Sequence, residues 1–379
     1  VNGVAPGVAE DDMTQYGLAA QVAALRAEIR ADLDLSGLDR ISVALYDPRT
    51  DLLKTFIHAS DRPNPLDHAS APLASLPSLR ELAESGQSRT VNDLEAVAQT
   101  GHDYVARLVA SGYRASHTMP LLGRDGLHGF LFLNATCRDF FTPAALGRLK
   151  PYAGLIGQMV LRELDALRAM RSMVRVLLQI AAVRDGETGA HLARMARYSR
   201  LIALNLARRH ALSDEFVEYL FHFAPVHDVG KIGVPDHILL KPGPLTPDEF
   251  AQMKLHVGRG VEIVDLAVGE HAFISGLHLR MLRNIVACHH EKLDGSGYPR
   301  GLKSEDIPLE ARIVAVADVF DALTSRRPYK AAWSNERALA TLAAEAASGK
   351  LDADCVAALA ACPAEIAEIQ SRFVETVVG

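Results

Sequence analysis

Three absences narrow the field before any motif is read. There is no basic excess: 40 lysines and arginines against 46 acidic residues leave a formal net charge of −6. A chain of that sign has no overall pull toward nucleic acid or an anionic membrane, so phosphate binding requires a local basic cluster. No apolar run approaches the length of a membrane span, and the residues from Val1 onward show no basic-then-apolar signal pattern. The four cysteines, Cys137, Cys288, Cys355 and Cys362, lack the paired spacing of a metal–thiolate site. Cys355 and Cys362 fall in an alanine-rich helical pattern, where packing is the simpler role. These absences lead to the expectation of a reduced, cytoplasmic protein with neither nucleic-acid polymer nor membrane as partner.

What is present divides the chain. Its 379 residues suffice for two domains or one large one. The first ten residues are small and polar, and are expected to be disordered; residues 13–34 read as helix. RISVALYDPRTDLLKTFIHAS gives two β-type runs around a turn, a hairpin pattern. A proline-rich loop follows, then a short helix ending at glycine (SLRELAESGQ) and a brief strand (SRTVNDL). SHTMPLL and HGFLFLNAT, joined by GRDG, form a second hairpin. The N-terminal part is therefore expected to be an α+β domain over 13–154.

From Thr142 the pattern turns helical. Val160, Leu164, Leu167, Met170, Val174 and Leu177 recur at spacings of three and four. Such a stripe suits a linking helix over 155–184, packed on its own domain or on its copy in a homodimer. Further helices are expected at 190–209, 213–226, 247–266, 279–291, 308–323 and 335–348, giving an all-α domain over 185–379.

That all-α part carries the chemistry. Glu187 and His191 are four apart at a helix start and share one face. They are either an ion-binding pair or a helix N-terminal acid beside an ordinary exposed histidine. In APVHDVGKIGVPD, His227 and Asp228 follow an apolar run, and a buried His-Asp pair costs free energy unless it is paired or ligates a metal. Lys231, three residues on, is placed either to face a phosphate or to be solvated. His256 lies on the next helix, and His289 and His290 stand side by side before a glycine-rich turn. Asp318 interrupts the strongly apolar RIVAVADVFDAL, either as a ligand or as a structural carboxylate bonded to backbone or Arg312. Together Glu187, His191, His227, Asp228, His256, His289, His290 and Asp318 are eight nitrogen and oxygen donors on successive helices. Helical bundles build metal sites this way, and eight donors suit two or three ions sharing a bridging carboxylate. Mixed histidine and carboxylate ligation suits iron or manganese and permits zinc or nickel.

The HD pair at 227–228, HHEKLDGSGYPRGL with its GYP at 297–299, and ADVFDALTSRRPYK together resemble the HD-GYP phosphodiesterases, a subgroup of the HD metallohydrolases. The resemblance runs from about Arg171 to the last residues given. It implies hydrolysis of the bacterial second messenger cyclic di-GMP, to linear pGpG and on to GMP, at a site of two or three divalent ions, iron or manganese. It carries the metal ligands onto the same eight residues, with Asp228 bridging two ions and Glu187 serving a third. It also implies catalytic roles for Asp228 and Lys231, and a phosphate-gripping role for Lys231, Arg327 and Lys330. The stretch GEHAFISGLHLRMLRN looks long for the family, which bears on the lid over the site rather than on ligation.

The N-terminal part resembles a GAF sensor domain in its order of elements, which implies regulation by a small molecule or a protein partner. Cys137, His58, His68, His102, His117 and His128 read as structural or surface residues there. The competing readings are a phosphodiesterase for another cyclic dinucleotide such as cyclic GMP-AMP, a weakly active scaffold whose GYP loop contacts GGDEF-type synthases, and a non-cyclic nucleotide phosphohydrolase.

Overall fold

The computed structural model describes residues 17–98, 103–185, 189–269, 276–325 and 332–374. These fall into two compact units that divide after Asp165. The N-terminal segment expected to be disordered lies outside the described residues, as do Glu187, Arg327 and Lys330.

The first unit is built on one antiparallel sheet of six strands in the order β3-β2-β1-β6-β5-β4. The strands are β1 Leu38–Asp47, β2 Leu52–Ala59, β3 Ser70–Pro72, β4 Arg89–Val91, β5 Ala115–Gly123 and β6 Gly126–Ala135. Both expected hairpins are present, β1 with β2 and β5 with β6. The proline-rich stretch is not all loop, because Ser70–Pro72 pairs with the edge of β2. An edge strand can hold a proline, since its N–H side need not bond to a neighbour.

Helix α1, Leu18–Ala31, ends before the expected residue 34, residues 13–16 of that expectation lying outside the described residues, and packs on β1 and β2. It buries Leu18, Val22, Arg26 and Ile29, and the Arg26 guanidinium reaches the Asp39 carboxylate on β1 at 3.1 Å. Helix α2, Pro77–Ser85, packs Leu79 and Leu82 against Ala44, Leu53, Leu73 and Phe130 of the sheet side. Two short helices, α3 Leu94–Ala98 and α4 Asp103–Ala110, close a smaller cluster of Leu94, Val105, Leu108 and Tyr113.

Helix α5 runs unbroken over Pro143–Asp185 and takes Pro151 inside it. Of the apolar stripe expected to meet a partner or its own domain, Val160, Leu164 and Leu167 are already buried within the chain. The side chains of Met170, Val174 and Leu177 lie outside the described residues.

The second unit is helical throughout. Helix α6, Gly189–His210, buries Met195, Tyr198, Ile202 and Leu206, a run at spacings of three and four. Around it pack α7 Asp214–Phe223, α11 Leu309–Thr324, α13 Ala353–Ala360 and α14 Pro363–Arg372. The Tyr198 ring meets Phe320 of α11 edge to face at 5.2 Å, and burying each such ring is worth about 1.5–3 kcal/mol. The remaining helices are α8 Asp236–Leu239, α9 Pro247–Gly269, α10 Gly276–Cys288 and α12 Asn335–Ala347. The helix expected over 213–226 stops at Phe223 and tightens into a 3-10 turn, Ala224–Val226, where Pro225 has no N–H for an α-helical bond. The helix expected over 279–291 runs from Gly276 and ends at Cys288, so His289 and His290 sit just beyond it. No helix among the described residues is long and apolar enough to cross a membrane.

Candidate metal centre

The site begins where α7 gives way to two successive 3-10 turns, the second spanning Val229–Gly233. Asp228, between them, has φ −100° and ψ 14°, a bridging conformation that turns the chain inward. The turn lies on α9 so closely that a Cβ on Gly230 would overlap the carbonyl oxygen of His256 and the backbone of Gly260. Glycine at 230 is what lets the His227–Asp228 corner sit against the helix that carries His256.

Four histidines are then oriented alike. The Nδ1 atoms of His227 and His256 lie 3.0 Å and 2.8 Å from the carbonyl oxygens of Ala224 and Met253. His289 Nδ1 lies 3.1 Å from Ile285 O and 3.2 Å from Val286 O. A carbonyl only accepts, so in each ring Nδ1 carries the proton and Nε2 is left as a lone pair. His191 uses a carboxylate for the same purpose, its Nδ1 lying 2.7 Å from Oδ2 of Asp321. Histidines that ligate metals are held this way, with the outer nitrogen fixed by a carbonyl or carboxylate.

The inward-facing atoms fall into two groups. Asp228, His256, His289 and His290 offer atoms within 4.8 Å of one another, and His191, His227 and Asp318 do the same. Asp228 stands between the groups. Its Oδ1 is 3.2 Å from His256 Nε2 and 3.4 Å from His289 Nε2, while its Oδ2 is 3.2 Å from His227 Nε2. Asp318 Oδ1 is 3.8 Å from Nε2 of both His191 and His227. Arg312, offered by the sequence as an alternative partner for Asp318, pairs instead with Asp352 at 2.8 Å. Asp228 Oδ1, His256 Nε2 and His289 Nε2 are buried yet make no hydrogen bond among the described residues. Buried polar atoms left this way are costly, and a cation among them would satisfy all three. The donor set therefore fits divalent metal ions.

Electrostatics agree with that reading. Burial pushes the Asp228 carboxyl up, but Lys231, whose Nζ lies 2.8 Å from Oδ2, and His227 outweigh it and hold the group well below the usual range. Burial, the larger effect, keeps His289 neutral against the pull of Asp228. Burial and the neighbouring His289 together lower His290 far below an ordinary imidazole. Neutral imidazoles around an ionised carboxylate are the protonation states that metal ions require.

The glycine-rich turn forms the wall beside His290. The Tyr298 ring lies 4.7 Å from that of His290, and Phe250 of α9 meets Tyr298 edge to face at 6.0 Å. Burial and Asp228 raise the Tyr298 hydroxyl above its ordinary value, so it stays protonated. A Cβ on Gly297 would overlap the backbone of Glu291 and Lys292, which fixes the close return of the loop. Glu291, buried, holds the loop from inside: its carboxylate accepts the N–H groups of Arg300 at 2.8 Å and Leu302 at 2.9 Å.

Seven of the eight expected ligands thus come together, Glu187 being outside the described residues. Lys231 reaches the same place, whereas Arg327 and Lys330 are not described. His58 and His117, expected to be structural, bond within the sheet unit to Arg40 and Thr90. Sequence reasoning missed Asp321 and Glu291. Asp321 had a signal, since it lies three residues after Asp318 on an apolar helix and so shares its face. Glu291 had none beyond its place after the two histidines.

Residues 175–355 match the HD domain family model. This part of the chain is an HD domain of the HD-GYP type. The HD domain is similar to the cyclic di-GMP phosphodiesterase response regulator RpfG of Xanthomonas campestris pv. campestris, 48% identical over 204 residues, covering 54% of this chain and 50% of that protein. A probable cyclic di-GMP phosphodiesterase of Vibrio cholerae is 46% identical, covering 48% and 41%. A 3'3'-cGAMP-specific phosphodiesterase of the same organism is 39% identical, covering 48% and 33%. The chain spans half or less of the length of these three relatives. Among solved structures, an HDG"Y"P protein from Bdellovibrio bacteriovorus is 14% identical, covers 68% of this chain and 86% of that one, and has a TM-score of 0.34. The phycocyanobilin-bound GAF domain of a cyanobacterial phytochrome is 20% identical, covers 40% and 87%, and has a TM-score of 0.30. The architecture is an N-terminal antiparallel sheet with helices, followed by the helical HD domain.

Proposed function

We propose that the chain is a metal-dependent phosphodiesterase that opens cyclic di-GMP to linear pGpG and cleaves that on to GMP, under the control of its GAF-like unit through α5. The observation that carries the reading is Asp228, whose two carboxylate oxygens face separate groups of histidines. Such a carboxylate would suit ions held in both groups, and with Glu187, which lies outside the described residues, these side chains would hold two or three ions, iron or manganese. When bound, such ions lower the pKa of water toward neutrality and offset the charge on phosphodiester oxygens.

The chain's own side chains supply the rest. The outward Nδ1 bonds of His191, His227, His256 and His289 hold the rings in one tautomer and one orientation, so nothing must reorganise when substrate arrives. Lys231 sets an ammonium beside Asp228, where an incoming phosphate oxygen meets local positive charge in a chain whose net charge is −6. The family resemblance gives Arg327 and Lys330, which lie outside the described residues, as the second and third cations of that grip. Tyr298 covers one side of His290 and keeps water from that ring.

The test is turnover by the full chain, purified anaerobically and loaded with Fe(II) or Mn(II). Cyclic di-GMP should yield pGpG first and GMP later, and Asp228→Ala should abolish both. No turnover with either metal would overturn the reading. Because some relatives are named for 3'3'-cGAMP, that dinucleotide is run in parallel, and a higher kcat/KM on it would reassign the substrate.

A further inference from the structure

The group formed by His191, His227 and Asp318 has an outer support that reaches well beyond the ring it holds. Behind His191, on the side away from the ligand atoms, lies Asp321, completely buried. Its carboxylate takes the His191 Nδ1 proton bond at 2.7 Å and a forked pair from Arg194, Nε to Oδ1 at 2.6 Å and Nη2 to Oδ2 at 2.9 Å. The Ser325 hydroxyl donates to the same carboxylate at 3.0 Å. Arg194 then reaches outward: Nη2 donates to Ser325 Oγ at 2.6 Å, and Nη1 donates to the backbone carbonyl of Phe373 at 2.8 Å. Phe373, the residue that ends α14, is itself pinned by the Arg197 guanidinium, 3.8 Å above its ring. A continuous path of bonds therefore joins a metal-ligating ring to the last described helix and to Ser325 at the end of α11.

We propose that Asp321 is a positioning residue for His191, and that Arg194 ties it to α14, so that the helix Pro363–Arg372 takes part in holding the His191–His227–Asp318 group in its ligating geometry. The carboxylate does two things at once. It fixes the His191 tautomer with Nε2 facing inward, and its negative charge makes that nitrogen a better donor. Arg194 grips both oxygens of Asp321 in a fork, which fixes the plane of the carboxylate and so the direction from which it meets His191. The inference rests on the proposed reading of the two groups as metal sites.

The test is metal binding by the full chain, measured by chelator competition with Co(II) and Mn(II), with the visible Co(II) bands recorded in parallel. In Asp321→Asn one class of ion should bind about 10–100-fold more weakly, the usual effect of removing such an outer partner, with its Co(II) bands altered. The other class, at Asp228, His256, His289 and His290, should keep its affinity. Arg194→Lys keeps the charge but loses the fork to Asp321 and the bonds to Phe373 and Ser325, so it should weaken the same class by a smaller factor. It also carries the test alone if Asp321→Asn does not fold. Folded variants that retain both classes at wild-type affinity would overturn the proposal, as would equal weakening of both. A wild-type chain that binds neither metal would instead remove the reading of the site as a metal centre.

Discussion

Stripping divalent metal from the protein should lower the thermal midpoint of its HD domain by an amount that can be worked out. Asp228 Oδ1, His256 Nε2 and His289 Nε2 are buried with no hydrogen bond among the described residues. Each such atom carries a desolvation penalty of about 1–3 kcal/mol, so the three together cost about 3–9 kcal/mol when no cation satisfies them. Protonating the rings is a poor remedy at neutral pH, because burial holds His289 and His290 neutral. Metal binding to the folded state at one hundred times its Kd stabilises by about 2.7 kcal/mol per independent site. For a domain of about 200 residues, each kcal/mol moves the midpoint by about 2–4 °C, so one ion should be worth about 5–11 °C. Calorimetry of the full chain with Mn(II) and with excess chelator should show the shift in one transition only. The N-terminal sheet unit has no part in the two ligand groups, so its transition should stay put. Asp228→Asn should lose most of the increment, because Asp228 faces both groups of histidines. A midpoint that ignores chelator, or a shift of equal size in Asp228→Asn, would refute the reasoning.

Three further outcomes follow from local geometry. Gly230→Ala should destabilise the HD domain by about 1–3 kcal/mol and lower metal affinity with it, because the new methyl overlaps His256 O and Gly260; urea unfolding and chelator competition measure the two effects. Glu291→Ala removes charged bonds to the N–H groups of Arg300 and Leu302, worth about 1.5–3 kcal/mol each, so amide exchange of the 298–302 loop should speed up markedly while the amides of α6 stay protected. Glu249 caps α9 through the Thr246 N–H at 2.7 Å and pairs with Lys241 at 2.5 Å; with the Lys241 bond the larger cause, these bring its pKa from 4.5 to about 2. A depressed carboxylate stabilises the fold above its unfolded pKa and loses that contribution as pH falls through the folded one. Acid unfolding of Glu249→Gln should therefore be flatter than wild type between about pH 5 and pH 2, and parallel curves would count against the cap.

Much of the site was legible because its residues break local rules. An aspartate in the apolar run RIVAVADVFDAL, a His-Asp pair after an apolar helix, and adjacent histidines before a glycine turn each demand a partner, and the partners proved to be one another. Gly230 and Gly297 were readable only as motif letters; their reason is contact with backbone far away in the chain, which spacing does not reveal. Pro151 lies inside the helix that begins at Pro143, yet the helix runs on to Asp185. The end of α7 shows the opposite case, where Pro225 does break the helix and thereby frees His227 and Asp228 to turn inward.

Asp321 shows why the outer parts of such a site stay hidden. A ligand is recognisable because its chemistry is exceptional for its surroundings, whereas an outer carboxylate is defined only by what it touches, here a ring 130 residues away and a guanidinium 127 residues away. Asp318 and Asp321 look alike in the sequence, sharing one helix face at a spacing of three. What separates them is depth. Asp318 remains partly exposed and faces two imidazole lone pairs, while Asp321 is wholly buried and faces an N–H and a guanidinium. A group surrounded by donors is held as an anion and spent on orientation, whereas a carboxylate surrounded by lone pairs is left to seek a cation. That difference in the neighbours' protons, rather than any difference between the two aspartates, suits one to a cation and the other to the frame around it.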